Sequence, residues 1–83
     1  PQKFTSVRTG TLSAGADLDT GFGAAWTGAS AAQKDVYVNG QLLLFGANAG
    51  ANNDWYPGGS AGEIRFEFGL EPGDVIQAIL RMA

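Results

Sequence analysis

The stretch from Asp35 to Phe45, DVYVNGQLLLF, constrains the fold more than any other part of the chain. Its first half is rich in β-branched and aromatic residues, which suit a pleated, half-buried strand. Asn39 and Gly40 follow, and both tolerate the positive φ angles that a type I′ turn requires. The stretch therefore predicts a β-hairpin in which Gln41 to Phe45 form the returning strand.

A second apolar block lies near the C-terminus. Residues 63–68, EIRFEF, alternate between charged and apolar side chains, which predicts a strand with one buried face. Residues 71–74, EPGD, predict a turn, and residues 74–82, DVIQAILRM, predict a last strand covered on both faces. Residues 3–12 predict a further strand. The pattern indicates an all-β fold, a small antiparallel β-sandwich.

Residues 13–34 are dominated by Gly, Ala, Ser and Thr. Leu18, Phe22 and Trp26 recur at a spacing of four, as on one face of a helix. The glycines between them oppose a helix, at about 1 kcal/mol each relative to alanine. We therefore expect an extended, loop-rich arm anchored by these three side chains, with a short strand from Phe22 to Trp26 or a helical turn over residues 29–33 as open alternatives.

The chain is 83 residues long, and we expect a single domain in which residues 1–34 precede a hairpin-and-strand unit at 35–83. It contains no Cys and no His, which excludes disulfides, thiolate metal sites and histidine catalysis. Its net charge is −3 and its five basic residues are scattered, so we do not expect nucleic acid as a partner. A chain this small commonly gains support from self-association.

Asp19-Thr20-Gly21 is the tripeptide of aspartic proteases, in which two aspartates of a dimer share a proton and activate water. The flanking residues do not match that family, since Asp17 precedes the tripeptide and Phe22-Gly23 follows it. A polar turn is the simpler interpretation, and we expect no enzymatic activity.

Two groups of oxygen-bearing side chains resemble calcium ligands in type. Neither has the spacing of an EF-hand loop or its bidentate glutamate, and such residues also suit turns. We predict no metal and no cofactor. The residues are Asp17, Asp19, Asn48, Asn52, Asn53 and Asp54.

Trp26, Trp55 and Tyr56 suggest a sugar-stacking surface, with Asn53 and Asp54 as hydrogen-bonding partners. The alternative is that so small a protein uses its few large rings to fill the core. Both interpretations stay open at the level of sequence.

The run DVYVNGQLLLFGA, a Trp-Tyr loop and GEIRFEFGLEPGDVIQAIL together resemble a module of tailed-bacteriophage structural proteins. Order, spacing and turn residues agree from Asp35 to Arg81, and Asp54-Trp55-Tyr56 occupies the place of the aromatic in the polar loop. The turn positions of this pattern are Asn39, Gly40, Pro72, Gly73 and Asp74.

The resemblance implies a β-sandwich found in tail fibres, collars, baseplates and head decorations. Such a protein would be a non-enzymatic virion component, made in the host cytoplasm. Its partners would be copies of itself, most commonly in a trimer, and other virion proteins, with a host-surface glycan as a further partner of some members. The chain has no apolar run long enough to span a membrane, and its first residues lack the pattern of a secretory signal.

Overall fold

The computed structural model describes residues 1–50 and 53–81. These residues form seven strands, one short α-helix and one 3-10 turn. In chain order the elements are β1 (Gln2–Val7), β2 (Leu18–Asp19), α1 (Ala24–Gly28), the 3-10 turn (Ala31–Gln33), β3 (Lys34–Val38), β4 (Gln41–Leu42), β5 (Trp55–Pro57), β6 (Glu63–Phe66) and β7 (Val75–Leu80).

The strands form two antiparallel sheets. One sheet has the order β1-β7-β3-β4 and the other the order β2-β6-β5. Their inner faces share one hydrophobic core, to which α1 contributes Trp26. The all-β class and the antiparallel sandwich predicted from the sequence are confirmed.

The central hairpin forms as predicted. Asn39 and Gly40 have φ angles of 51° and 83°, both in the left-handed region that a type I′ turn uses. The returning strand is shorter than predicted, because β4 ends at Leu42. Beyond it the chain crosses to the second sheet, where Phe45 makes a parallel bridge with Trp55. The N–H of Leu43 still donates to the carbonyl oxygen of Val36 in β3 at 2.8 Å, and the side chains of Leu43 and Phe45 pack against the core.

The C-terminal strands also form as predicted, with the alternation that the sequence shows. In β7, Ile76, Ala78 and Leu80 are buried and point into the core. Val75 and Ile79 lie on the other face and are only half-buried, so the prediction that both faces are covered is wrong for the described residues. Met82, assigned to this strand from the sequence, lies outside the described residues, and β1 ends at Val7 rather than continuing to residue 12.

The Gly/Ala-rich segment is mostly loop and packs against its own domain. The helix α1 begins at Ala24, within the range Phe22 to Trp26 for which a short strand was one alternative, so the prediction of that strand is wrong. The glycines do not prevent this helix, because Gly23 precedes it and Gly28 is its last residue. The predicted helical turn is confirmed as a 3-10 turn, whose capping box joins Ser30 and Gln33.

The loop between the central hairpin and β6 contains a strand that the sequence analysis missed. Trp55 and Tyr56 belong to β5, which pairs with β6 through Trp55 and Phe66. This strand forms because Trp55 and Tyr56 are buried, and pairing with β6 gives their buried backbone N–H and C=O groups hydrogen-bond partners.

Candidate functional site

The three aromatic residues named for sugar stacking fill the core. The exposed fractions of Trp26, Trp55 and Tyr56 are 2%, 1% and 8%. The centroids of the two indole rings are 5.7 Å apart, and Phe45 meets Trp55 edge-on at 4.9 Å. The interpretation of these rings as a stacking surface is therefore wrong, because a sugar needs a ring face open to solvent.

Asn53 and Asp54 hold the segment that crosses between the sheets. Asp54 Oδ2 accepts a hydrogen bond of 2.9 Å from the backbone N–H of Leu44, and Asn53 Nδ2 donates to the carbonyl oxygen of Trp55 at 3.0 Å. Asn53 Oδ1 is buried without a hydrogen-bond partner among the described residues. Both side chains serve the local backbone, and neither completes the predicted sugar site.

The carboxylates considered for calcium are likewise engaged in local contacts. Asp17 receives the Arg65 guanidinium at 2.6 Å and the N–H of Gly59 at 3.0 Å, and these contacts hold the pKa of Asp17 below its ordinary value of 3.8. Asp19 Oδ1 accepts the N–H of Gly21 at 2.8 Å, closing a polar turn. Within residues 1–50 and 53–81, no three His, Cys, Asp or Glu side chains gather as metal ligands.

The two predicted turns meet at one corner of the domain. Asn39 Nδ2 donates to Asp74 Oδ1 at 3.0 Å, and the N–H of Val75 donates back to Asn39 Oδ1 at 2.9 Å. Asp74 also accepts the N–H of Glu71 at 2.8 Å, and these hydrogen bonds lower the pKa of Asp74. Gly73 adopts a φ of 94°, as its place in the turn after Pro72 requires. The five turn residues therefore have a structural role.

A pocket of about 250 Å³ opens between α1 and the turn that joins β5 to β6. Its walls come from Trp26 and Thr27 of α1, residues 57–61 of the turn, Lys34 and Glu63. We call it the Lys34 pocket.

Lys34 is the unusual member of this pocket. It begins β3 and shares the inner face of that strand with Val36 and Val38, so only 9% of the residue is exposed. Its Nζ lies 5.6 Å from the ring centroids of Trp26 and Phe45. Burial lowers the pKa of Lys34, because it disfavours the charged ammonium. A perturbed titratable group in a concave site is a candidate functional residue.

The Lys34 ammonium has no anionic partner in the part of the chain that the structure describes. The two ion pairs there join Arg65 to Asp17 and Arg81 to Asp35, so the carboxylate next to Lys34 in sequence is already paired. The sequence analysis missed Lys34. The signal was its alternation with Val36 and Val38, which places it on the buried face of β3.

The pocket is shaped by a close backbone contact at Gly62. The carbonyl oxygen of Gly62 accepts hydrogen bonds from Thr20 N at 3.0 Å and Thr20 Oγ1 at 2.6 Å, and its N–H donates to Thr27 Oγ1 at 3.0 Å. These bonds tie the β5–β6 turn to β2 and α1. They hold the two walls of the pocket at a set separation.

The outer face of the four-stranded sheet exposes apolar side chains. Antiparallel partners point to the same side of a sheet, so Val7 and Val75 lie on one face with Tyr37 and Leu42, and Gln77 sits between them. Val7 and Leu42 are 56% and 61% exposed. This set of five residues is called the outer face below.

Comparison with protein-family models, with curated proteins and with solved structures found no match. Among the described residues, no helix is both long and apolar enough to cross a membrane.

Proposed function

We propose that this chain is a non-enzymatic structural module that assembles with copies of itself, as an attachment, adaptor or decoration component of a tailed-phage virion. Two things support the proposal. The fold is a two-sheet antiparallel domain, and the run from Asp35 to Arg81 resembles the virion module in its order of strands and turns. A trimer is the oligomer that the resemblance favours, with other virion proteins as further partners.

The observation that carries the self-association is the outer face. It presents apolar side chains from all four strands of the sheet to solvent, with Gln77 at its centre.

The energy available from the outer face is at the lower end of what association requires. Burying a Val or Leu side chain completely is worth about 1.5–3 kcal/mol, so a side chain that is more than half exposed still has about 1 kcal/mol to gain. Val7 and Leu42 are the exposed large hydrophobic residues of this face. On two copies they supply roughly 4 kcal/mol, which reaches the lower end of the estimated cost of association of about 4–15 kcal/mol. We therefore expect weak association that depends on protein concentration.

Sedimentation across a range of protein concentrations tests the proposal. The matched pair of variants is Gln77→Lys, at the centre of the outer face, and Gln41→Lys, in β4 of the same sheet but outside that face. Both glutamines are exposed. Burying an unpaired ammonium is costly, so we expect Gln77→Lys to lower the sedimenting mass and Gln41→Lys to leave it unchanged.

Two results would count against the proposal. One is a wild-type chain that stays monomeric and folded at every concentration. The other is an oligomer that Gln77→Lys leaves intact, which would place the interface elsewhere on the domain.

A further inference from the structure

The Lys34 pocket contains a cation without a matching anion. Lys34 is buried as a residue, and its Nζ lies 5.6 Å from the ring centroids of Trp26 and Phe45. Buried charges in proteins are ordinarily paired or hydrogen-bonded. An incoming anion would supply the pairing that the chain itself does not provide there.

Glu63 restricts which anion fits. Glu63 lines the same pocket, and one oxygen of its carboxylate, Oε1, accepts the N–H of Ser60 at 2.9 Å. The other oxygen, Oε2, accepts no hydrogen bond from the described residues. A ligand with a charge near −2, such as a phosphate monoester, would meet like-charge repulsion from this group. A ligand with one carboxylate and a nearby hydroxyl would bind both Lys34 and Glu63.

The size of the pocket sets the scale of the ligand. Liquid water takes about 30 Å³ per molecule, so 250 Å³ holds roughly eight non-hydrogen atoms. The rings of Trp26 and Pro57 add apolar wall. This is room for a small hydroxy acid, or for the acidic end of a larger sugar whose remainder stays outside.

We propose that the Lys34 pocket binds a small hydroxylated monocarboxylate, with Lys34 donating to the carboxylate and Glu63 accepting from the hydroxyl. This role is separate from the self-association proposed above, because Lys34 lies on the inner side of β3 and the outer face lies on the other.

Amide chemical shifts of the whole chain, titrated with lactate and with glucuronate, test the proposal. Lactamide and glucose are the matched neutral probes. We expect both acids to shift the amides of residues 57–63, with a dissociation constant on the order of 1 mM, and the neutral probes to leave them unchanged. Tighter binding of glucuronate than of lactate would support an acidic sugar as the ligand, and the reverse a free hydroxy acid.

The matched variants are Lys34→Met, which keeps the apolar stem and removes the charge, and Lys3→Met, which makes the same change at an exposed lysine of β1. We expect Lys34→Met to weaken binding of the acids tenfold or more, the value of one charge-assisted hydrogen bond. Lys3→Met should not alter it. Equal binding of lactate and lactamide, tighter binding of inorganic phosphate, or unchanged binding by Lys34→Met would overturn the proposal.

A measurement on the unmodified chain keeps the test independent of how the variant folds. The pKa of Lys34, followed through its ¹³Cε shift, should rise when lactate saturates the pocket, because the bound carboxylate stabilises the ammonium. Binding should also weaken as the pH rises through that pKa. A Lys34 pKa that does not move on saturation would refute the assigned contact, even if lactate shifted amides elsewhere.

Discussion

Replacement of Gly62 by alanine should destabilise the domain more than the same replacement at a left-handed glycine whose surroundings are open. Gly62 has a φ of 81°, and an added Cβ would lie 2.6 Å from the backbone nitrogen of Gly23 and 3.0 Å from its Cα. Both neighbours are backbone atoms, which cannot turn aside as the end of a side chain can. The contact joins the β5–β6 turn to the residue that precedes α1.

Two costs add at this position. A non-glycine residue in the left-handed region costs about 1–2 kcal/mol, less about 0.4–1 kcal/mol because alanine restricts the unfolded chain. Overlap with packed atoms costs a further 1–3 kcal/mol or so. The free energy of unfolding of Gly62→Ala should therefore fall by about 1–4.5 kcal/mol, against the roughly 4–12 kcal/mol expected for a domain of this size.

Gly21 supplies the matched control. Its φ is 79°, nearly that of Gly62, but no heavy atom lies within 4 Å of its added Cβ. Gly21→Ala therefore carries only the conformational cost, about 0–1.6 kcal/mol. The difference between the two variants isolates the backbone overlap at Gly62.

Urea unfolding followed by tryptophan fluorescence measures both variants, since Trp26 and Trp55 are buried and become exposed together on unfolding. The denaturant slope should be the same in the wild type and both variants, because the surface exposed on unfolding does not change. If Gly62→Ala and Gly21→Ala differed by less than about 0.5 kcal/mol, the limit of additivity for independent sites, the close approach of the two backbones would be refuted.

Two further outcomes are expected. Asn39→Ala should lower the free energy of unfolding by about 2–3 kcal/mol, because it removes two hydrogen bonds to the second turn and leaves alanine at a φ of 51°. The control, Asn48→Ala in an exposed loop, should change the free energy of unfolding by no more than about 0.5 kcal/mol. Equal effects of the two variants in the same urea assay would contradict the contact between the two turns. Stability should also fall as the pH drops below about 4, because the pKa values of Asp17 and Asp74 are lowered in the folded state and their contribution is lost as pH falls through them. The double variant Asp17→Asn, Asp74→Asn should flatten this acid limb below about pH 4, and an unchanged slope would contradict the assigned contacts.

The sequence alone determined the features that depend on local chemistry. Asn39 and Gly40 specify their turn because these residues tolerate positive φ, and the alternation in β6 and β7 marks which side chains point inward. Those signals are carried by adjacent residues, so they were readable without a partner strand. They were sufficient to predict the class of the fold.

Tertiary packing alone decided where the aromatic rings lie and which polar residue matters. Trp26 and Trp55 are far apart in sequence, and the side-by-side contact of their rings follows from the joining of the two sheets. Lys34 becomes a candidate binding residue only because α1 and the β5–β6 turn form a pocket with it and most of its surface is buried. Whether a lysine can bind a ligand in a pocket depends on the residues around it in space, and the spacing of residues along the chain does not show which ones these are.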